Sequence, residues 1–381
     1  MKVLHCPDLV GGHSVQLSRA ERRLGLESRL VVFYQSSFNY PADEVLLPAA
    51  SGILQRELAR WKLLWRALKY DVIHYNFGQS IMPSRLAAYG RMAQAYPLWV
   101  QYLYRGYVAC FELFDVRLLK WLGKAIIVTF QGDDARQGDY CRSHFDITFA
   151  NEVEPEYYTP VSDQVKRDRI AFFDIYADKI YALNPDLLRV LPERAEFLPY
   201  SSVDVQDWLP VSGGHRGRPV LLHAPSHRGV KGTQYILDAV ERLRDEGVQF
   251  DFILVEGMTN SEARSCYGKA DLLIDQLLAG WYGGLAVELM ALGKPVVAYL
   301  REEDLEFIPD EMRRDLPVIQ ATPDSVYDVV KYFLTEGREE LVSLGQKSRC
   351  FVEKWHDPLK IALRMRLEYE GVLEAGHPGE L

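Results

Sequence analysis

Two glycine-containing segments hold the residues from which chemistry can first be argued. One runs Gly280-Trp281-Tyr282-Gly283-Gly284-Leu285-Ala286-Val287-Glu288 and continues to Lys294-Pro295-Val296-Val297. Gly283 and Gly284 stand just ahead of a helical pattern. A helix N-terminus carries N–H groups with no intrahelical acceptor, and glycine puts no Cβ in front of them, so the turn suits an anion. Glu288 is expected in the first turn, where its charge suits the helix dipole and its carboxylate can accept two hydrogen bonds from a ribose diol. The second segment is Arg228-Gly229-Val230-Lys231-Gly232. An arginine fork and a lysine point charge on one loop suit a diphosphate. Each segment also has a plain structural reading: a glycine-rich turn with a surface glutamate, and a loop with two solvated cations.

The elements that must position these residues follow from periodicity. Short apolar runs at 220–223, 250–255, 270–274 and 294–299 read as strands, with helices over 235–244 and from 288. Upstream, a strand at 2–5 leads through Gly11-Gly12-His13 into a helix marked by Val15, Leu17, Ala20 and Leu24. Further strands are expected at 30–33, 71–74, 125–130, 179–182 and 196–198. The loop after 71–74 carries Asn76-Phe77-Gly78, and the one after 125–130 carries Gln131-Gly132-Asp133-Asp134. Alternating strands and helices predict α/β architecture with largely parallel sheets covered on both faces. The Gly- and Pro-rich stretch 201–219 reads as a linker. The expected organisation is therefore two doubly wound, Rossmann-like domains, 1–205 and 206–359, with a C-terminal helix over 360–381 returning to the first.

Taken together, these residues resemble the large retaining glycosyltransferase family called family 4, which has the GT-B fold: two Rossmann-like domains with an interdomain cleft. The first half of the resemblance rests on Gly11-Gly12, Asp71-Val72-Ile73-His74, Thr129-Phe130-Gln131-Gly132-Asp133-Asp134, Ala177-Asp178-Lys179-Ile180 with Asn184-Pro185-Asp186, and Leu198-Pro199-Tyr200 with Val203-Asp204. The second half rests on Lys231-Gly232, Ala270-Asp271, and Ala286-Val287-Glu288 through Val297. The resemblance implies that Lys231 and Arg228 bind the donor diphosphate and that Glu288 holds its ribose. It implies that the Gly283–Leu285 backbone (Gly283, Gly284, Leu285) touches the phosphates, and that Gly11 and Gly12 face them. Glu256 is counted with this donor set, Gln131 and Asp134 with Lys231 and Arg228 as the catalytic set, and His13, His74, Asn76 and Arg136 as acceptor contacts. Three departures stand out. The first of the family's two spaced glutamates is Gly280 here, with Asp275 nearby as a substitute or as a plain strand-end residue. The familiar His-Gly is Gln131-Gly132. The stretch between 255 and Asp271 is short enough to lack a strand near the nucleotide base.

The implied activity is transfer of a hexose or N-acetylhexosamine from a nucleotide sugar, UDP rather than GDP, to a glycan or lipid-linked acceptor with retention. The nucleotide sugar is a co-substrate, and no cofactor is implied. No Asp-x-Asp pair is placed to hold a metal, so metal independence is expected. Two alternatives stay open: a GT-B sugar-nucleotide epimerase, and a degenerate homologue that binds nucleotide without turnover.

Net charge is −9 over 381 residues, which argues against nucleic acid as a partner. Residues 51–124 nevertheless carry eleven basic side chains against four acidic ones. Within them, helix 53–69 is expected to bury Leu54, Leu58, Trp61, Leu64, Trp65 and Leu68, with Arg56, Arg60, Lys62, Arg66 and Lys69 on its other sides. This helix and the aromatic stretch 93–124 predict peripheral contact with an anionic membrane, unless the basic face is simply solvated. Five scattered cysteines and no signal-peptide-like or membrane-spanning stretch predict a cytoplasmic protein, peripheral on the inner face of the cell membrane.

Overall fold

The computed structural model describes residues 1–36, 38–90, 94–211 and 217–376. The predicted linker residues 212–216, the basic residue Arg91, and positions 377–381 of the predicted C-terminal helix lie outside the described residues. The chain forms two compact units. The first comprises Met1–Gln137, Pro160–Leu198 and the chain from Leu359 onward; the second comprises Gly138–Thr159 and Pro199–Pro358.

The first unit is built on a seven-stranded sheet. Its strands are β1 (Lys2–Cys6), β2 (Glu27–Val32), β3 (Glu44–Val45), β4 (Val72–Asn76), β5 (Ala125–Phe130), β6 (Lys179–Ala182) and β7 (Glu196–Phe197), in the order β3-β2-β1-β4-β5-β6-β7. Every pairing is parallel. Helices cover a parallel sheet on both faces, so its central strands are apolar throughout rather than alternating. Accordingly β5 reads Ala-Ile-Ile-Val-Thr-Phe with every residue buried. The order reverses direction between β1 and β4, the position at which open α/β sheets leave a crevice beyond the strand ends.

The second unit carries β8 (Val220–His223), β9 (Asp251–Leu254), β10 (Leu272–Ile274), β11 (Val296–Ala298) and β12 (Ile319–Gln320), ordered β12-β11-β10-β8-β9 and again parallel. Here the reversal lies between β8 and β10. Between β9 and β10 the chain makes one helix, Asn260–Tyr267, opened by a Thr259–Glu262 capping box.

The helix at Ile53–Ala67 presents a different face from the expected one. Ala59, Leu63, Leu64 and Ala67 turn to the core. Leu54, Leu58 and Trp65 are 80, 70 and 71% exposed, and Trp61 lies at the surface beside them. The arginines expected on the helix's other sides, against a membrane or solvated, are half-buried: Arg66 forks onto Glu44 at 2.7 and 2.6 Å, and Arg60 donates to the Ile81 carbonyl at 2.6 Å. Of the apolar residues assigned inward, only Leu64 is fully buried, with Leu68 partly so.

Candidate functional site

In the second unit the loops leaving β8 and β10 flank the point where strand order reverses, and they carry the residues predicted to meet a diphosphate. Lys231 ends the short helix Arg228–Lys231. Gly232 follows with φ +69°, a left-handed conformation that glycine adopts without strain, and lets the chain turn directly into helix Thr233–Asp245. The Lys231 ammonium is largely buried and donates to Asp275 Oδ1 at 3.0 Å and to Gln276 Oε1 at 2.6 Å. The other oxygen of Asp275 accepts the Gly283 N–H at 2.7 Å. One buried carboxylate thus ties the lysine to the glycine turn. Gly283 is the N-cap of helix Gly284–Ala291 and leaves it without a side-chain cap. A Cβ at Gly283 would lie 3.2 Å from Lys231 Nζ and 3.4 Å from Asp275 Oδ2, so glycine keeps open the space beside the ammonium. Gly283, Gly284 and Leu285 are only partly buried, as access to their backbone requires.

The frame behind this cluster is neutral and tightly bonded. His223, at the end of β8, donates from Nδ1 to the Ile274 carbonyl at 2.8 Å and accepts from Thr233 Oγ1 at 2.9 Å through Nε2. Burial pushes its pKa down to about 4, so it spans the reversal point as an uncharged strut. Gln276 donates to the Trp281 carbonyl. Trp281 and Tyr282 are fully buried with ring centroids 4.3 Å apart. Tyr282 in turn donates to His356 Nε2, while His356 Nδ1 donates to the Tyr200 carbonyl, both at 2.8 Å. The 138–159 segment braces the other loop. A Cβ on Gly229 would meet the Glu152 carbonyl at 2.6 Å, and Tyr235 donates to the Glu152 carboxylate at 3.0 Å.

Other predicted donor residues fall into two groups. Arg228 and Glu256 come together as a bidentate pair, both hydrogen bonds 2.7 Å, with the arginine exposed. Glu288 is the fifth residue of its helix rather than part of the first turn, and it is 3% exposed. Its charge therefore gains little from the helix dipole, whose effect fades beyond the first turn. Glu288 and the nearby Asp275 contribute, after burial, to raising the Tyr267 pKa, which groups this tyrosine with the cluster.

Gly280, where the resemblance expects a carboxylate, is closed to one. Its φ is +78°, and a Cβ there would lie 2.7 Å from Nη1 and 2.9 Å from Cζ of Arg301. Arg301 is held by Asp304 at 2.8 Å, by the Ile147 carbonyl at 3.0 Å, and over the Phe145 ring at 3.5 Å. Gly280→Glu is expected to destabilise the protein by more than about 2 kcal/mol, from positive-φ strain together with displacement of the guanidinium. Urea titration measures this, and a variant as stable as the parent would refute the account of position 280.

In the first unit the predicted residues line the strand ends around the β1–β4 reversal. Gly12 caps helix His13–Arg23 without a side-chain bond, and a Cβ on Gly11 would meet nothing within 4 Å. The Asp134 carboxylate does not project outward. It accepts the N–H groups of Gln131 at 3.0 Å and Gly132 at 2.6 Å, and burial holds its pKa up at about 6. Its position shapes the loop that presents the partly buried Gln131. Three acceptor assignments need correction. His74 lies inside β4, fully buried, with Nδ1 donating to Tyr369 at 2.8 Å and Nε2 accepting from Thr129 at 2.7 Å, so it offers nothing to an acceptor. His13 is the first residue of its helix and 2% exposed. Arg136 forks onto Asp186 at 2.6 and 3.0 Å inside the fold. Asn76 differs from these. It ends β4, is fully buried, and neither its amide nitrogen nor its oxygen has a hydrogen-bond partner. A buried amide with both ends unsatisfied costs free energy unless something binds it.

Among the described residues, no three His, Cys, Asp or Glu side chains gather as a metal site. Sequence reading missed His223, Gln276, Tyr267 and Arg301. Only Gln276, adjacent to Asp275 at the end of a strand, had a positional signal.

No family model matches the chain, and no curated protein matches it by sequence. Solved structures do resemble it. Sucrose-phosphate synthase from Thermosynechococcus elongatus matches with TM-score 0.59 at 15% identity, over 98% of this chain and all of that one. The catalytic domain of starch synthase IV from Arabidopsis thaliana, bound to ADP and acarbose, matches with TM-score 0.59 at 12% identity, over 98% and 99%. HepE from Anabaena in complex with UDP matches with TM-score 0.58 at 12% identity, over 97% and 100%. The likeness is one of fold: two parallel-sheet α/β units matching GT-B glycosyltransferase structures.

Proposed function

We propose that the chain is a retaining glycosyltransferase that moves a hexose or N-acetylhexosamine from a UDP-sugar to a glycan or lipid-linked acceptor without a metal. The observation that carries this reading is Lys231 held by Asp275 beside the uncapped Gly283 turn at the β8–β10 reversal. A lysine charge and helix N–H groups converging there suit a diphosphate. The UDP bound by HepE, a protein of the same fold, supports uridine as the base.

In this mechanism the bond from the anomeric carbon to the diphosphate breaks and the acceptor oxygen bonds to that carbon on the same face. The acceptor's hydroxyl proton passes to the departing diphosphate. Lys231 stabilises the charge that develops there, and Arg228 adds a second cation if it exchanges Glu256 for phosphate. Gln131 and Asn76 supply neutral hydrogen bonds on the acceptor side, in the first unit. Glu288 holds the ribose. The acceptor is reached at the inner face of the cell membrane.

A thermal-shift panel of UDP, GDP and their sugars tests the donor assignment. At a hundredfold excess over Kd, UDP is expected to stabilise the protein by about 2.7 kcal/mol, and GDP by less. No shift with any nucleotide would overturn it. Closure of position 280 by Arg301 favours one other reading, a nucleotide-binding homologue without turnover. Radiolabelled UDP-sugars with membrane extract and EDTA separate the cases: glycosylated product means transfer, free epimer means the epimerase reading, and neither means the inactive homologue.

A further inference from the structure

We infer that the outward faces of helices Ile53–Ala67 and Leu98–Phe111 insert into the interface of an anionic lipid bilayer. The inference deepens the proposed membrane-side acceptor and rests on that reading for its purpose, while its test is independent of the donor site.

The first observation is an apolar face that the described residues leave largely exposed. Leu54, Leu58, Trp61 and Trp65 recur at spacings of four, three and four, which puts them on one side of a helix. This is the side that the helix turns outward, while alanines and Leu63 face the sheet. The neighbouring helix Leu98–Phe111 adds Leu98, Trp99, Tyr102 and Leu103, each 66–70% exposed. The two helices are joined: Trp61 Nε1 donates to Tyr107 at 2.9 Å and its ring meets Phe111 edge-on at 5.2 Å. Scattered exposed apolar residues are ordinary, but contiguous tryptophans and leucines on two joined helices mark an interaction surface. Tryptophan is also the side chain most at home between headgroups and acyl chains.

The second observation is charge. Among the described residues of 51–124, the exposed charged side chains are Lys62, Lys69, Arg85 and Arg117, all cationic. The acids of this segment are withdrawn. Asp115 is fully buried and accepts from Tyr75 and Ile81; Glu57 and Glu112 are mostly buried beside Arg60 and Arg85; Asp71 is partly buried and accepts the Lys2 N–H at 2.8 Å. Lys62 and Lys69 flank the apolar stripe, each four residues after one of its members. An apolar stripe edged by lysines, in a chain of net charge −9, fits an anionic membrane and not a second copy of this acidic chain. No helix among the described residues is long and apolar enough to cross a membrane, so the contact is interfacial.

The test is co-sedimentation of the full chain with vesicles of phosphatidylcholine alone and of phosphatidylcholine mixed equally with phosphatidylglycerol. Tryptophan quenching by acyl-brominated lipid is read in parallel. Binding to the anionic vesicles with quenching is expected. Leu58→Glu/Trp65→Glu should lower partitioning on the order of tenfold or more. Lys62→Gln/Lys69→Gln should lower it by about fivefold per lysine on anionic vesicles only. Leu209→Glu, an equally exposed leucine of the second unit, should change nothing. All these sites are at the surface, and an unchanged melting temperature with UDP verifies the fold. Failure to bind, binding without quenching, or self-association abolished by Leu58→Glu/Trp65→Glu would each overturn the inference. A chain that binds vesicles but no nucleotide would keep this inference and sink the donor assignment.

Discussion

Lys231→Ala is expected to lower kcat with a UDP-sugar by about 10²–10³-fold, the loss seen when one pre-organised stabiliser of a developing negative charge is removed. The ammonium is fixed before any ligand arrives, by Asp275 at 3.0 Å and Gln276 at 2.6 Å, and it faces space that only a glycine at 283 leaves open. Little reorganisation is then needed as the leaving diphosphate gains charge. Lys231→Arg is expected to recover little activity, because the larger planar fork does not fit the same two acceptors and the same gap. Steady-state kinetics on purified protein decides the matter. A Lys231→Ala variant with near-parental kcat would rule out the proposed role.

Asp275→Leu carries the second large effect, on stability. It removes one partner of a buried ion pair and strands the other, a loss of about 3–5 kcal/mol. That corresponds to a fall in Tm on the order of 10 °C for a unit of this size. Lys231→Met made in the same chain should return about 2–3 kcal/mol of that loss, since no uncompensated charge remains. About 1 kcal/mol should persist, because the Gly283 N–H has lost its acceptor in either case. Urea titrations of the four proteins give the coupling directly. Simple additivity would mean that the pair is not what holds the lysine. The same geometry answers what Asp275 does in the absence of a carboxylate at Gly280. Both of its oxygens are engaged, one on Lys231 and one on Gly283, so it positions the phosphate-facing groups and does not stand in for a sugar-reading glutamate.

Much of this was legible in the sequence. Buried parallel strands are short apolar runs, and glycine turns after them are local, so β8 and the Gly283–Gly284 turn could be named in advance, while the segment expected as a loop at 228–232 is a short helix ending at Lys231. What periodicity could not decide was which of two apolar stripes on the helix at 53–67 is buried. The answer lay in Ala59 and Ala67, whose small side chains allow close approach to the sheet, while the larger tryptophans remain outside. Partners distant in sequence were also hidden. Arg136 and Asp186 are fifty residues apart, His74 and Tyr369 almost three hundred, and each pairing removes a supposed acceptor contact from view. Arg301 reaches Gly280 from the loop after the next strand, so the lost carboxylate looked like a simple deletion when it is a filled position.

The division of the chain has a consequence for its modularity. The backbone passes from one unit to the other four times, after Gln137, Thr159, Leu198 and Pro358. Neither half is a single stretch of gene. A fragment ending at residue 205 would include 138–159 without the rest of the unit it belongs to, and would lack the helix whose Tyr369 closes the Glu21–His74 network. The two halves are therefore expected to resist recovery by one proteolytic cut or exchange by one recombination event. A hybrid with another protein of this fold would need its joints at all four passages.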